Sequence, residues 1–589
     1  MAATKDSTKR RSGRGSTPRT RQPAEAATPP AAGDRDGTPA EDRRQPTQPP
    51  KVKSLEVSDR IRAIADRCES IDSRRSLRRL ARLIAASPKS VHKISFLEAE
   101  ISGCLDRADN AVREPREPWL QLESATWALA WLARSRRAGG SAGSLLEQLV
   151  RRGRVATGAL AGRDTQPAPF VLTLAKLFPD IESCAELGLH AIKAVEEEIA
   201  RLASEGGALR LNGSATVLDR VSRWALCRDV IGGDGWPTAT EERFQASVAY
   251  ALRLLGAKGR MLVGVGRMPG YFSRPLLQAA QRGKAGGRLR RTAAVISGEK
   301  SPASARRLLD RDVHDAATAT AVLRSGWDAE SLRVLVEYRD AVPRLEIAVG
   351  DRLLVDGPWP WSVTADGERL DAEGPWSFSG MESDRKSTFF EIAAPLTGGL
   401  RLERTIVVLP SERIVVLADA VTRAAAATAP RDLRFASEVR VAPGLETEQA
   451  AETREVFLYD TGMRCMALPL GLGEWQAAGP GHFTASPAGL ALEQHGAGRL
   501  HAAVWFDCDP RRLGRPVTWR QLTVADTRVN LPRSMAAGYR VQVGHDQWLL
   551  YRALDEPRNR TLLGCNVSCE FLLGRVGRSG EVRRLVEIQ

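Results

Sequence analysis

The chain has 589 residues, 43% hydrophobic and 27% charged, the composition of an ordinary soluble protein long enough for two or three domains with cores of their own. No apolar run reaches the roughly 18 residues that span a bilayer, so a membrane span is excluded. The net charge is +15, and the first 53 residues, with 12 Lys+Arg against 6 Asp+Glu, supply +6 of it. A basic body suits a polyanionic partner, and it also follows from an arginine-rich composition alone.

In chain order, residues 1–53 come first, a Pro-, Thr-, Ala- and Arg-rich arm expected to stay disordered for want of apolar residues. Its opening MAATKDSTKRRSGRGSTPRTRQ has no apolar segment behind it, so no secretory signal is read and a cytoplasmic location is expected. The eight cysteines are scattered, and only Cys565 and Cys569 lie close together, with no histidine at ligand spacing. They read as reduced thiols, and neither a metal nor a cofactor is expected.

Residues 54–280 carry helical periods. Leu55, Ile61, Ile64, Cys68 and Ile71 recur at helical spacing, and Leu189, Ile192, Val195, Ile199 and Leu202 make a later stripe. EPWLQLESATWALAWLARSRR places Pro118 at a helix start, with Trp127 and Trp131 one turn apart. Many stripes without β alternation predict an α/α helical array, incomplete and toroid-like. Residues 281–310 are expected to be a linker.

From 311 to 589 the period becomes two. LEIAVGDRLLVDG predicts a hairpin turning at Gly350-Asp351. LRLERTIVVLPSERIVVLADAV does the same at Pro410-Ser411, and YRVQVGHDQWLLYRAL at Gly544-His545. The fold class is therefore α then β, a helical array followed by a large antiparallel β-sandwich. At the start of this region AVLRSGWDAES sets Arg324, Trp327 and Asp328 in a corner before LRVLVEYR. Such a corner either closes a hairpin or lines a cleft for an acidic ligand.

With this layout in place, the text resembles the heparinase II/III-like polysaccharide lyases. RSGWD with LRVLVEYR is similar to their first sandwich strands, LEIAVGDRLLVDG to the next pair, and GGLRLERTIVVLPSERIVVLADAV to a later hairpin. EEEIARLASEGGALRLNGSATVLDRV is similar to their helix, Gly-Gly loop and following helix. The resemblance covers roughly 185–420 and implies action on, or binding of, an acidic, uronic-acid polysaccharide, by β-elimination if active. Elimination needs the uronate carboxylate neutralised, a base for the C5 proton and an acid for the leaving oxygen, usually Tyr and His.

Residue by residue, the match is partial. Gly206 and Gly207 are present, Ala208 stands where a His is common, and Ala215-Thr216 occupies the place of a Tyr-His pair. The His-x-His-x-Asp run that members carry before the strand matching LEIAVG, where it serves a metal or active-site cluster, is missing from YRDAVPRLEIAVG. The resemblance then leaves Asn212 and the loop-borne Tyr271 as catalytic candidates. Arg210, Arg324, Trp327, Tyr338 and Arg339 are the candidates for holding substrate, because guanidinium groups pair with carboxylate and sulfate in a two-point fork. His314, in RDVHD, reads as a surface-loop histidine, the competing reading being that Asp312 and Asp315 beside it hold a metal with it or orient its imidazole. Tyr250 reads as core. Two functions remain open, a working lyase and an inactive lyase-fold protein that binds an anionic glycan or serves as a scaffold. A nucleic-acid partner is not expected, since no nucleic-acid module is recognisable and aromatic residues are only 5%.

Overall fold

The change of period near residue 310 divides helices from strands in the folded chain. The computed structural model describes residues 53–589, apart from 88–90, 112–115, 135–140, 233–234, 257–258, 260–272, 283–285, 300–307, 424–428 and 478. The arm 1–52 and Tyr271 therefore lie outside the described residues, all of which belong to one compact unit, Pro49–Gln589.

The helices open with α1 (Ser54–Ala65), α2 (Ile71–Ala85), α3 (Val91–Asn110), α4 (Glu117–Ala133) and α5 (Ser141–Ala161). They continue with α6 (Ala168–Leu177), α7 (Glu182–Leu202), α8 (Ser214–Ile231) and α9 (Thr238–Leu254), then α10 (Ser273–Arg282) and α11 (Gly287–Ser297). Pro118 sits in the first turn of α4, where its missing N–H costs nothing, and nearly every residue of α4 from Leu120 to Leu132 is buried. α6 is buried almost as completely, so these two are inner helices with the others packed around them. In α7 the buried face is Leu187, Ala191, Val195, Ile199 and Leu202. Leu189 is off that face and 68% exposed, because two residues from Leu187 is more than half a turn. Leu55 and Ile71 are also exposed, each in the first turn of its helix.

The stretch expected to be a linker holds α11. Its text, GRLRRTAAVIS, is dominated by arginine, yet Leu289, Ala293 and Ile296 recur at three and four residues and bury one face. Among the described residues no helix is long and apolar enough to cross a membrane.

The strands begin with a meander of β1 (Val313–Asp315), β2 (Thr320–Arg324), β3 (Leu332–Glu337), β4 (Arg344–Val349) and β5 (Arg352–Pro358), paired in that order. Gly350 turns the β4–β5 hairpin at φ +58°, a region that favours glycine. Leu400–Leu409 and Ile414–Arg423 close around Pro410-Ser411, and Ala536–Val543 and Asp546–Ala553 around Gly544-His545, as their sequences predict. The eight-stranded sheet carrying the first of these pairs is buried on both faces. Leu402 and Val408 enter one core with Val334 and Ile347, while Val407 and Leu409 enter another with Trp505, Trp519 and Trp548. Strand alternation thus makes the β half a sandwich more than two sheets deep.

Candidate functional site

The helical array meets the β1–β5 sheet through the loop between α7 and α8. After Leu202 the chain folds back on itself, with Ser204 N donating to Ala208 O at 2.9 Å and Arg210 N to Leu202 O at 3.0 Å. The two glycines allow this loop to lie flat against its neighbours. A Cβ on Gly207, at φ +85°, would stand 2.1 Å from the Ala246 carbonyl carbon of α9, and one on Gly206 would stand 2.7 Å from Asp315 Oδ2. Ser204 Oγ donates to that same Asp315 oxygen at 2.5 Å.

At its other end the loop delivers the N-terminus of α8 to two carboxylates. Gly213 N donates to both oxygens of Glu337 at 3.0 and 3.1 Å, and Ser214 N donates to Glu346 Oε1 at 3.0 Å. Negative charge is favoured there by the free N–H groups and the helix dipole. Arg344 lies against both carboxylates, at 3.7 and 3.5 Å, and against Asp356. Burial nevertheless pushes the Glu337 carboxyl up to about 7, with the Gly213 hydrogen bond opposing it and the neighbouring Glu346 adding to it.

Between these two anchors the loop exposes Arg210 and Asn212. Asn212 Oδ1 accepts from Arg339 Nη2 at 2.6 Å, so two residues 127 apart in sequence meet at the surface. Arg210 Nη1 donates to the Arg201 carbonyl at 3.1 Å and remains exposed.

Next to Arg339, Tyr338 is buried and its hydroxyl lies 2.6 Å from His314 Nε2. His314 belongs to β1 rather than to a surface loop, and it is half-buried with its ring stacked on Phe378 at 3.9 Å between centroids. Phe378, on the edge strand Ser377–Ser383, is itself exposed. Burial lowers the His314 imidazole below its ordinary value, against an opposing effect of Asp315, and so keeps it neutral. Burial and then Asp315 push the Tyr338 phenol up to about 12, so it keeps its proton. A neutral imidazole hydrogen-bonded to a protonated phenol contains one group that takes a proton and one that gives it.

Arg324 and Trp327 do something else. The expected offer of the Arg324 guanidinium to a ligand is corrected by its burial, 1% exposed. Its Nη1 donates to the carbonyls of Arg253 and Leu255 at the end of α9, at 2.6 and 2.9 Å. Nε donates to Gly326 O at 2.9 Å and Nη2 to Ser331 Oγ at 3.0 Å. Trp327 covers the guanidinium at 4.5 Å and donates through Nε1 to Leu309 O at 3.2 Å, so it too is structural. Arg333 adds a second cap on the Leu254 carbonyl at 2.9 Å. The corner is a latch in which two guanidinium groups complete the C-terminus of a helix from the other half of the molecule. Tyr250, as its stripe indicates, is core, with its hydroxyl 3.3 Å from Thr320 Oγ1.

Among the described residues no group of three or more His, Cys, Asp and Glu converges as a metal site.

No protein-family model and no curated protein matches the chain. Solved structures do. The heparan sulfate lyase HepC from Pedobacter heparinus superposes with a TM-score of 0.51 at 10% identity, over 88% of this chain and 92% of that one. Heparinase III superposes with 0.51 at 9% identity, over 87% and 93%. At such identity the likeness is one of fold, a distant polysaccharide-lyase-like helical array and β-sandwich running nearly the full length of both chains.

Proposed function

We propose that this chain acts on an acidic, uronic-acid polysaccharide at the helix–sheet junction and breaks it by β-elimination. The observation that carries the reading is the 2.6 Å contact between His314 and Tyr338, beside the exposed Arg339–Asn212 pair. In this mechanism Arg339, Asn212 and Arg210 neutralise the uronate carboxylate, which makes the C5 proton acidic. His314, neutral, takes that proton. The C4–O bond breaks, and the leaving oxygen takes the proton of Tyr338. The proton enters at Nδ1, and the imidazolium then gives its Nε2 proton to the phenolate along the hydrogen bond they share, which restores both charges; exchange of the Nδ1 proton with water returns the starting tautomer. Phe378, exposed and parallel to the imidazole, offers a flat apolar face beside the sugar. Tyr271, which lies outside the described residues, remains a candidate for the same cleft on sequence grounds.

A second reading, an anionic-glycan-binding protein without turnover, is favoured by one observation: Tyr338 is only 4% exposed and Phe378 covers one face of the imidazole. The two are separated by incubating the protein with a panel of uronic-acid polymers and following the ultraviolet absorbance of the unsaturated product. A rise that is lost in Arg339→Ala/Asn212→Ala supports elimination. Salt-sensitive binding with no rise on any polymer supports binding alone.

A further inference from the structure

The helical array carries a second basic surface, away from the residues of the junction. α2 reads IDSRRSLRRLARLIA and buries Leu77, Leu80, Ala81 and Ile84, which leaves Arg75, Arg78 and Arg82 on its exposed side. Together with Arg62 of α1 and Arg74 they line a groove of about 650 Å³ in which Asp66 is the one acidic lining residue. Asp66 pairs with Arg78 at 2.8 Å. Arg75 has only the exposed Asp72 at 3.5 Å, and Arg62 only the exposed Asp59 at 3.3 Å, contacts that solvent screens. Arg74 donates Nη2 to the Cys68 carbonyl at 2.6 Å, while its buried Nε has no partner among the described residues. The groove is therefore strongly positive, with most of its guanidinium edges open.

It is also not an isolated dent. Its walls share Asp66, Arg74 and Arg78 with a cavity of about 880 Å³ among α1, α2, α4, α8, α9 and α10. In that cavity most of the arginines are already matched: Asp229 takes Arg60 and Arg282, Glu241 takes Arg228 at 2.5 Å and Glu123 takes Arg67 at 3.1 Å, with the exposed Arg274 as the exception. Open positive charge is thus concentrated in the outer groove.

We propose that the groove on α1 and α2 is a binding site for a linear, sulfated or carboxylated glycan, an exosite that holds the chain whose cleavage is assigned to the junction; it rests on that reading for the identity of the glycan. Three features select this ligand class. Arg75 and Arg82 are seven residues apart, about 10 Å along the helix, so a ligand satisfying both must carry anions along its length. Guanidinium forks match sulfate and carboxylate oxygens in pairs. No aromatic side chain lines the groove, so the stacking platform that single-stranded nucleic acid uses is missing from it.

The test is fluorescence anisotropy of a labelled heparin-type oligosaccharide over a salt series, with His314→Gln present throughout to prevent turnover. Arg75→Gln/Arg82→Gln, two exposed helix positions, is expected to weaken binding at least tenfold and to lower the log–log salt slope by roughly 1.5. Arg75→Lys/Arg82→Lys is expected to keep the slope and lose affinity a few-fold, because charge remains and the fork does not. Unchanged affinity and slope in the Gln pair, with an unchanged unfolding midpoint, overturn the exosite. A single-stranded RNA that outcompetes the oligosaccharide, and loses that advantage in the Gln pair, overturns the glycan as its ligand. The two proposals fail separately. A slope lowered in the Gln pair, together with no cleavage by the wild-type protein, removes the elimination reading alone, and normal cleavage with indifferent arginines removes the exosite alone.

Discussion

Among the described residues two histidine–tyrosine pairs are built from the same groups and set in different surroundings. His314 and Tyr338 meet at the junction, with their rings 6.1 Å apart and 19° from parallel. His501 and Tyr539 meet inside the β half at 5.6 Å and 28°. The inner pair is closed on itself: Tyr539 donates to the His501 carbonyl at 3.1 Å, its hydroxyl lies 3.1 Å from Nδ1, and both residues are buried. Burial and then Arg552 hold the His501 imidazole down at about 3. The outer pair is half open. His314 is only partly buried, its Nδ1 has no hydrogen-bond partner among the described residues, and exposed Arg339 is the next residue after its partner. Contact between an imidazole and a phenol therefore does not mark a reactive site by itself. Access and nearby charge distinguish the two pairs.

The largest expected effect separates the histidines. His314→Gln is predicted to lower the rate of unsaturated-product formation by about 10²–10⁴-fold, the range for loss of a positioned proton-transfer group. His501→Gln is predicted to leave that rate within a few-fold and to lower stability by about 1–3 kcal/mol in urea unfolding. A comparable loss of rate in both would erase the distinction between the pairs.

The corner holding the two halves together comes next. Arg324→Ala strands the carbonyls of Gly326, Arg253 and Leu255. It is expected to cost on the order of 3 kcal/mol of stability, read from the urea midpoint, with polymer affinity per folded molecule unchanged. Weakened affinity in a stably folded variant would return this arginine to the binding site.

Smaller effects appear in the pH dependence of stability. His501 titrates near 6.5 when unfolded and at about 3 when folded, so between these values the unfolded chain binds more protons. Its contribution is present above 6.5 and is lost as pH falls towards 3; His501→Gln flattens that slope. Glu337 has the opposite sign. Its carboxyl rises from 4.5 to about 7 on folding, so its contribution is full below 4.5 and is lost as pH rises through 7. Glu337→Gln, which resembles the protonated form, should remove this second and weaker slope. A wild-type stability profile that both variants leave unaltered would contradict the burial assigned to each group.

Much of the fold was legible because its signals are local. Gly350-Asp351, Pro410-Ser411 and Gly544-His545 each turn a hairpin between strands that alternate in the text. α11 was hidden because three arginines crowd the start of a helix whose buried face is only Leu289, Ala293 and Ile296. The site was harder to read. Asn212 and Arg339 were both singled out, but their meeting depends on the α7–α8 loop docking on a sheet more than a hundred residues later. Arg324 was misread because its acceptors lie about seventy residues upstream, at the end of another helix. His314 was passed over as a loop residue, although pairing β1 with β2 and β2 with β3 places His314, Ala321 and Val336 in line. Tyr338, two residues beyond Val336, falls on the same face by strand alternation. The signal was present in register, and a reading by motif alone does not use register.

On the proposed mechanism the open pair moves protons and the closed pair does not. The most direct measurement compares initial rates of unsaturated-product formation for Tyr338→Phe and Tyr539→Phe on the same uronic-acid polymer, each referred to the wild-type protein. A loss of a hundredfold or more is expected in Tyr338→Phe, with a rate near wild type in Tyr539→Phe. Equal rates in the two variants, or no product from the wild-type protein on any such polymer, would contradict that mechanism.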